Sequence, residues 1–240
     1  MNTAPPASER SYVIQGKTVT LPCIVRDASS GSAIFLVPAA AAQRLIPGDA
    51  FEVVEMAPGQ AQLILGFVDY RDNDLGDYNE VMIIFFVKPK GAPPEAQGTY
   101  IHKLPVNQSF TCEAGCRIWG FPKSVEQIDV DYAGDRVTCK LTMDGLHVFT
   151  LGLPRIEDAP ESPDLEMTTY TYLDGPRAVP FTSGGATAVT PGGEQVALEL
   201  GTHPIADELR GLGLPAAALM CTWMEHMRGS FGEPRKIGDR

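Results

Sequence analysis

A chain of 240 residues that is 44% hydrophobic carries enough apolar material for a sizeable core, and its length suits one barrel as well as two small domains. Its net charge of −11 is the opposite of the basic face that nucleic-acid binding requires, so that class is excluded and the acidity is read as solubility. Five cysteines without secreted spacing, a polar N-terminus with no apolar leader core, and no apolar stretch of spanning length point to free thiols in a reducing cytoplasm and to no membrane partner.

Residues 1–10 read as a tail. Tyr12 to Arg26 alternates and is rich in β-branched residues, which favours strands, and Ser32 to Val37 is a short apolar run. The alanine-rich stretch Ala39–Ile46 follows a proline and stops at Pro47-Gly48, as a helix does. Phe51–Met56 and Gln60–Tyr70, split by Pro58-Gly59, have the span of a hairpin. The polar loop Arg71–Asn79 has acidic residues but no acid at the distance that would close a calcium loop. Glu80–Val87 is the most apolar run in the chain and reads as a central strand buried on both faces.

After a proline-rich loop, Tyr100–Val106 reads as a strand. Asn107–Trp119 reads as a helix with Asn107 as its N-cap and Gly120 at its end. Cys112-x3-Cys116 on that helix lacks the second Cys/His pair that a zinc site needs, so the thiols are taken as buried and no metal is expected. From Val125 a meander follows, with turns at Ala133-Gly134 and Asp144-Gly145, as far as Leu153. Ile156–Asp164 reads as loop, Leu165–Leu173 as a strand, and Gly175–Gly193 as turns. Val196–Leu200 reads as a short strand, Pro204–Leu212 as a helix, and Ala217–Phe231 as a strand. About ten strands with two or three helices, and no regular strand–helix alternation, imply an α+β fold. The natural packing is a mainly antiparallel sheet curled into a barrel around a pocket.

One lysine stands out. Lys123 follows Trp119-Gly120-Phe121-Pro122, so the chain direction before it is set by a proline and its neighbours are apolar. Such surroundings disfavour the charged form of an amine and push it towards nucleophilic use. Taken alone, these residues leave open a turn whose lysine points into water.

The Trp119-Gly120-Phe121-Pro122-Lys123 element resembles the acetoacetate decarboxylase superfamily, in which a lysine after an aromatic-Pro pair forms a Schiff base. Tyr78-Asn79-Glu80 resembles a Tyr-x-Glu segment whose glutamate lines that family's pocket, and Leu45-Ile46-Pro47 has the family's early layout. The resemblance implies a cone-shaped, mainly antiparallel β-barrel with flanking helices, usually a homo-oligomer. One domain would span 11–232, between tails at 1–10 and 233–240. It further implies Lys123 and Glu80 as catalytic residues, with Tyr78, Trp119, Phe121, Arg117 and Arg26 lining the substrate site, and no cofactor. The family's Arg-Glu pair before the motif and second lysine after the nucleophile are here Cys116-Arg117 and Ser124. Burial against Trp119 and Phe121 must then supply most of any lowering of the Lys123 pKa, with Arg117 as a substitute cation. The implied function is a lyase (decarboxylase, aldolase or dehydratase type) acting on a small oxo acid through a Lys123 iminium, other than acetoacetate decarboxylation itself. The alternative is a small-molecule binding or regulatory protein that kept the barrel and lost the chemistry.

Overall fold

The computed structural model describes residues 10–237. Of the predicted tails at 1–10 and 233–240, residues 1–9 and 238–240 lie outside that range, whereas Arg10 and Arg235–Lys236 are paired in sheets. In chain order, a hairpin of β1 (Arg10–Ile14) and β2 (Lys17–Leu21) precedes the long strand β3 (Cys23–Pro38), α1 (Ala39–Leu45), β4 (Phe51–Val53) and β5 (Glu55–Ala57). Then come β6 (Gln60–Asn73), β7 (Tyr78–Pro89), β8 (Gly98–Val106), α2 (Ser109–Ala114) and a π turn over Gly115–Trp119. The meander is β9 (Lys123–Val125), β10 (Gln127–Ala133), β11 (Arg136–Met143) and β12 (Leu146–Pro154). The chain closes with β13 (Glu161–Tyr172), β14 (Pro176–Pro191), β15 (Ala197–Leu200), α3 (Pro204–Gly211), β16 (Met220–Phe231) and β17 (Arg235–Lys236).

Seven strands close on themselves in the order β7-β6-β3-β16-β14-β13-β8, with β8 pairing back to β7. Every contact around this ring is antiparallel except β8 with β13. The predicted barrel is therefore present. A second sheet, β10-β11-β12-β15, covers part of its outer face, and the apolar period of two explains why. Along β7, Val81, Ile83, Phe85 and Val87 are at most 1% exposed. They pack outward in one core with Leu141, Phe149 and Leu151 of the second sheet, Ala42 of α1 and Leu209 of α3. The alternate residues of β7, from Glu80 to Phe86, face a cavity inside the barrel. A strand apolar on both faces is what such a position demands.

Two predicted breaks are continuous strand. β3 runs unbroken through Asp27–Gly31, and β14 occupies most of Gly175–Gly193, despite Pro180, Gly184 and Gly185. Both strands pair on each side, and those ladders outweigh the local preferences, with a register shift at Gly184/Ala186 taking up the glycines. The predicted helix over Asn107–Trp119 is shorter and mixed. Its N-cap is Gln108, whose side chain accepts the Thr111 N–H at 2.8 Å, while Asn107 Oδ1 accepts the Asn79 N–H at 2.8 Å. No helix among the described residues is long and apolar enough to cross a membrane.

Candidate active site

The segment that carries Lys123 is aimed by its backbone. In the π turn the Phe121 N–H donates to the Gly115 carbonyl at 3.1 Å and the Gly120 N–H to the Cys116 carbonyl at 3.2 Å. Gly120 then reverses the chain at φ +72°, a conformation open to glycine at little cost. A Cβ there would stand 2.3 Å from the Tyr172 carbonyl oxygen. Beyond it Trp119 and Phe121 stack at 5.7 Å, and the indole N–H is satisfied by the Gly232 carbonyl at 2.9 Å. Both rings line the cavity. Lys123 opens β9, parallel to β8 and opposite Leu104, and from there its side chain enters the barrel.

Its side chain is 4% exposed, and its Nζ lies 2.7 Å from Oε2 of Glu80, itself 8% exposed. The same Nζ donates to Thr111 Oγ1 at 3.0 Å and stands over the Tyr78 ring, 5.0 Å from its centre. Glu80 Oε1 accepts from the Tyr70 hydroxyl at 3.4 Å, and Tyr70 stacks on Tyr78 at 4.5 Å. Burial pushes the Lys123 ammonium down, but the Glu80 carboxylate and the Tyr78 phenol beside it together more than offset this and hold the group above the ordinary lysine value. The expected lowering is thus reversed at rest, because the attraction and hydrogen bonding of Glu80 and Tyr78 together outweigh desolvation, itself the largest single influence. Burial also raises the Tyr78 phenol to about 12 and the Cys23 thiol, another lining group, to about 12, so both stay neutral donors.

Of the residues singled out from sequence, Lys123, Glu80, Tyr78, Trp119 and Phe121 share one cavity of about 360 Å3. Arg117 and Arg26 do not join them. Arg117 is 61% exposed and pairs with Glu113 one helical turn back, at 2.7 Å. Arg26 lies outside the barrel, held by Asp72 at 2.8 Å and Asp74 at 2.7 Å. The π turn buries Gly115, Ile118 and Trp119, which leaves Arg117 facing solvent. Neither arginine supplies a cation beside Lys123.

Sequence reasoning missed Thr111, Tyr70 and Gly115. A Cβ on Gly115 would lie 2.5 Å from Cδ of Lys123, so that glycine makes room for the lysine stem. Only Tyr70 had a signal: the β6–β7 register sets Tyr70 opposite Tyr78 and Val68 opposite Glu80, a pairing that follows once the hairpin around the polar loop is drawn.

A model of the family described as acetoacetate decarboxylase matches residues 15–228. The chain belongs to the acetoacetate decarboxylase family. Among curated proteins no match was found. Among solved structures, an acetoacetate decarboxylase from Legionella pneumophila aligns with a TM-score of 0.66 at 13% identity, covering 98% of this chain and 93% of that one. The enduracididine biosynthesis enzyme MppR complexed with pyruvate aligns at 0.62 and 16% identity, covering 90% and 91%. An acetoacetate decarboxylase-like enzyme from Sphingomonas wittichii aligns at 0.59 and 17% identity, covering 92% and 96%. At these identities the likeness is one of fold, and it extends over nearly the whole chain.

Proposed function

We propose that the protein is an amine-dependent lyase in which Lys123 condenses with the carbonyl of an oxo acid. The observation that carries this reading is the buried Lys123–Glu80 pair at 2.7 Å on the wall of the cavity inside the barrel. A solvated lysine is a permanent cation, whereas this one has a built-in proton acceptor. When substrate displaces water, transfer of the Nζ proton to Glu80 replaces two buried charges with two neutral groups, which desolvation favours. The free amine then attacks the carbonyl carbon. The carbinolamine oxygen takes one proton from Nζ and the other back from Glu80 and leaves as water, so that Nζ keeps one proton as the iminium and Glu80 is a carboxylate again. The resulting iminium withdraws electrons from the adjacent bond, as in acetoacetate decarboxylase itself. Loss of CO2, retro-aldol cleavage or loss of water are each eased by the same sink. The Glu80 carboxylate would balance the iminium charge, and the neutral Tyr70 and Tyr78 hydroxyls are within the same cluster as donors.

Support also comes from MppR, a structural neighbour of this chain, which has been described with pyruvate and with the condensation product of pyruvate and imidazole 4-carboxaldehyde. The missing second lysine after the nucleophile and the outward Arg117 favour a reaction other than acetoacetate decarboxylation. The test is borohydride trapping with 2- and 3-oxo acids between about pH 6 and 9. A reduced adduct is expected at Lys123 and should vanish in Lys123→Ala. No adduct with any oxo acid would sink the lyase reading and favour a binding protein, for which the raised Lys123 pKa is the supporting observation.

A further inference from the structure

From the size and lining of the cavity we infer, resting on the lyase reading above, that the substrate carries an apolar chain or ring well beyond a three- or four-carbon oxo acid. The volume of about 360 Å3 corresponds to roughly twelve water-sized groups, and it stands at the lower end of sites for drug-sized ligands, about 300–1,000 Å3. A short oxo acid condensed on Lys123 would leave about half of it unfilled.

The unfilled part has a direction. Along β7 the inward residues run Glu80, Met82, Ile84, Phe86, polar only at the Lys123 end and apolar over the following roughly 20 Å of strand. The facing walls add Met167, Met224 and Met227, so that four of the eight methionines in the chain line this one space. Methionine side chains are unbranched and polarizable, and they mould to apolar ligands of varied shape. The far end does not close on a solid core. Phe86, Thr99, Met167 and Phe181 also border an outer hollow of about 780 Å3, so an extended chain has both room and a way in.

The charges agree. Besides Lys123, the one cation that reaches the wall among the described residues is Arg228, and it is engaged at the rim by Glu161 and Asp164, each at 3.1 Å. The polar groups farther along are hydroxyls already engaged within the protein. Thr99 pairs with Thr169 at 2.8 Å, Ser32 with Thr222 at 2.7 Å and Thr182 with Ser230 at 3.0 Å, while Ser30 donates to the Phe67 carbonyl and Ser183 to the Met224 sulfur. Nothing there rewards a second acidic group on the distal part of the substrate, whereas methylenes are welcome.

The experiment is borohydride trapping at Lys123 with 3-oxo acids of increasing chain length, from acetoacetate to 3-oxodecanoate, read by mass spectrometry as the concentration for half labelling. That concentration should fall about three- to fourfold for each added methylene until the space is filled. Ile84→Trp and Met224→Phe, which shorten the space from different strands, should each reduce the preference for the long over the short acid. Labelling that is flat or weaker with length would overturn this inference while leaving the lyase reading standing. If nothing labels, calorimetry with the 2-alkanone series separates the two ideas. Affinity that rises with length, with a negative heat-capacity change, keeps the apolar occupant and discards the lyase, and no binding discards both.

Discussion

Replacing Glu80 by Gln keeps the shape of the site and removes one charge of its buried pair. In the wild-type chain the folded pKa of Lys123 lies above the ordinary value, since Glu80, with help from Tyr78, offsets burial. The folded state therefore holds that proton more tightly than the unfolded state, whose lysine titrates near about 10.4. The stability this contributes is fully present below that unfolded value and is lost as pH rises through the folded one. In Glu80→Gln the attraction is gone and burial remains, so the folded pKa drops below the ordinary value and the sign reverses. Stability of the variant should rise with pH between its lowered pKa and about 10.4. Both partners are nearly inaccessible, 4% and 8% exposed, so screening by water is weak. Stranding a buried charge costs about 3–5 kcal/mol, and a chain of this size loses about 2–4 °C of melting temperature per kcal/mol. The expected drop is roughly 6–20 °C near pH 6.5, shrinking near pH 9.5. Thermal and urea melts followed by circular dichroism measure it. The double variant Glu80→Gln/Lys123→Met, which removes both charges, should recover most of the loss. A loss below about 1 kcal/mol at both pH values, the range of exposed pairs, or a pH slope like that of the wild type, would refute the reasoning.

Gly115→Ala places a methyl 2.5 Å from Cδ and 2.7 Å from Cε of Lys123, whose tip is pinned by Glu80 and Thr111. A displacement of about 1 Å can cost up to about a hundredfold in rate, so trapping by an oxo acid should slow by at least about tenfold. The melting temperature should change little, since alanine is favoured over glycine in a helix by about 1 kcal/mol. Arg117→Ala and Arg26→Ala remove exposed pairs outside the cavity. Each should leave stability nearly unchanged, as loss of exposed pairs does, and leave the trapping yield unchanged, and a lost adduct in either would contradict their place outside the cavity.

Where the signal was local, it was legible. The Gly-bearing turns of the meander, the apolar run of β7, and Lys123 behind Pro122 are set by neighbours one to four residues apart, through turn chemistry, a period of two and a fixed proline φ. The resemblance carried by Trp119–Lys123 and Tyr78–Glu80 brought those two segments to one family site, and the fold brings them to one cavity. What depended on distant partners was not legible. Gly184 and Gly185 read as turn, yet lie in a strand because β13 and β16 supply ladders from far along the chain. Thr111 and Gly115 carried no mark, since their roles exist only once α2 packs beside β9. The charge of Lys123 shows the division most clearly. From its neighbours in sequence, burial should lower its pKa, and burial is indeed the largest single influence. Its sign at rest was decided by the tertiary structure alone, because a Coulomb interaction depends on distance, and a carboxylate 43 positions earlier in the sequence comes to stand 2.7 Å away.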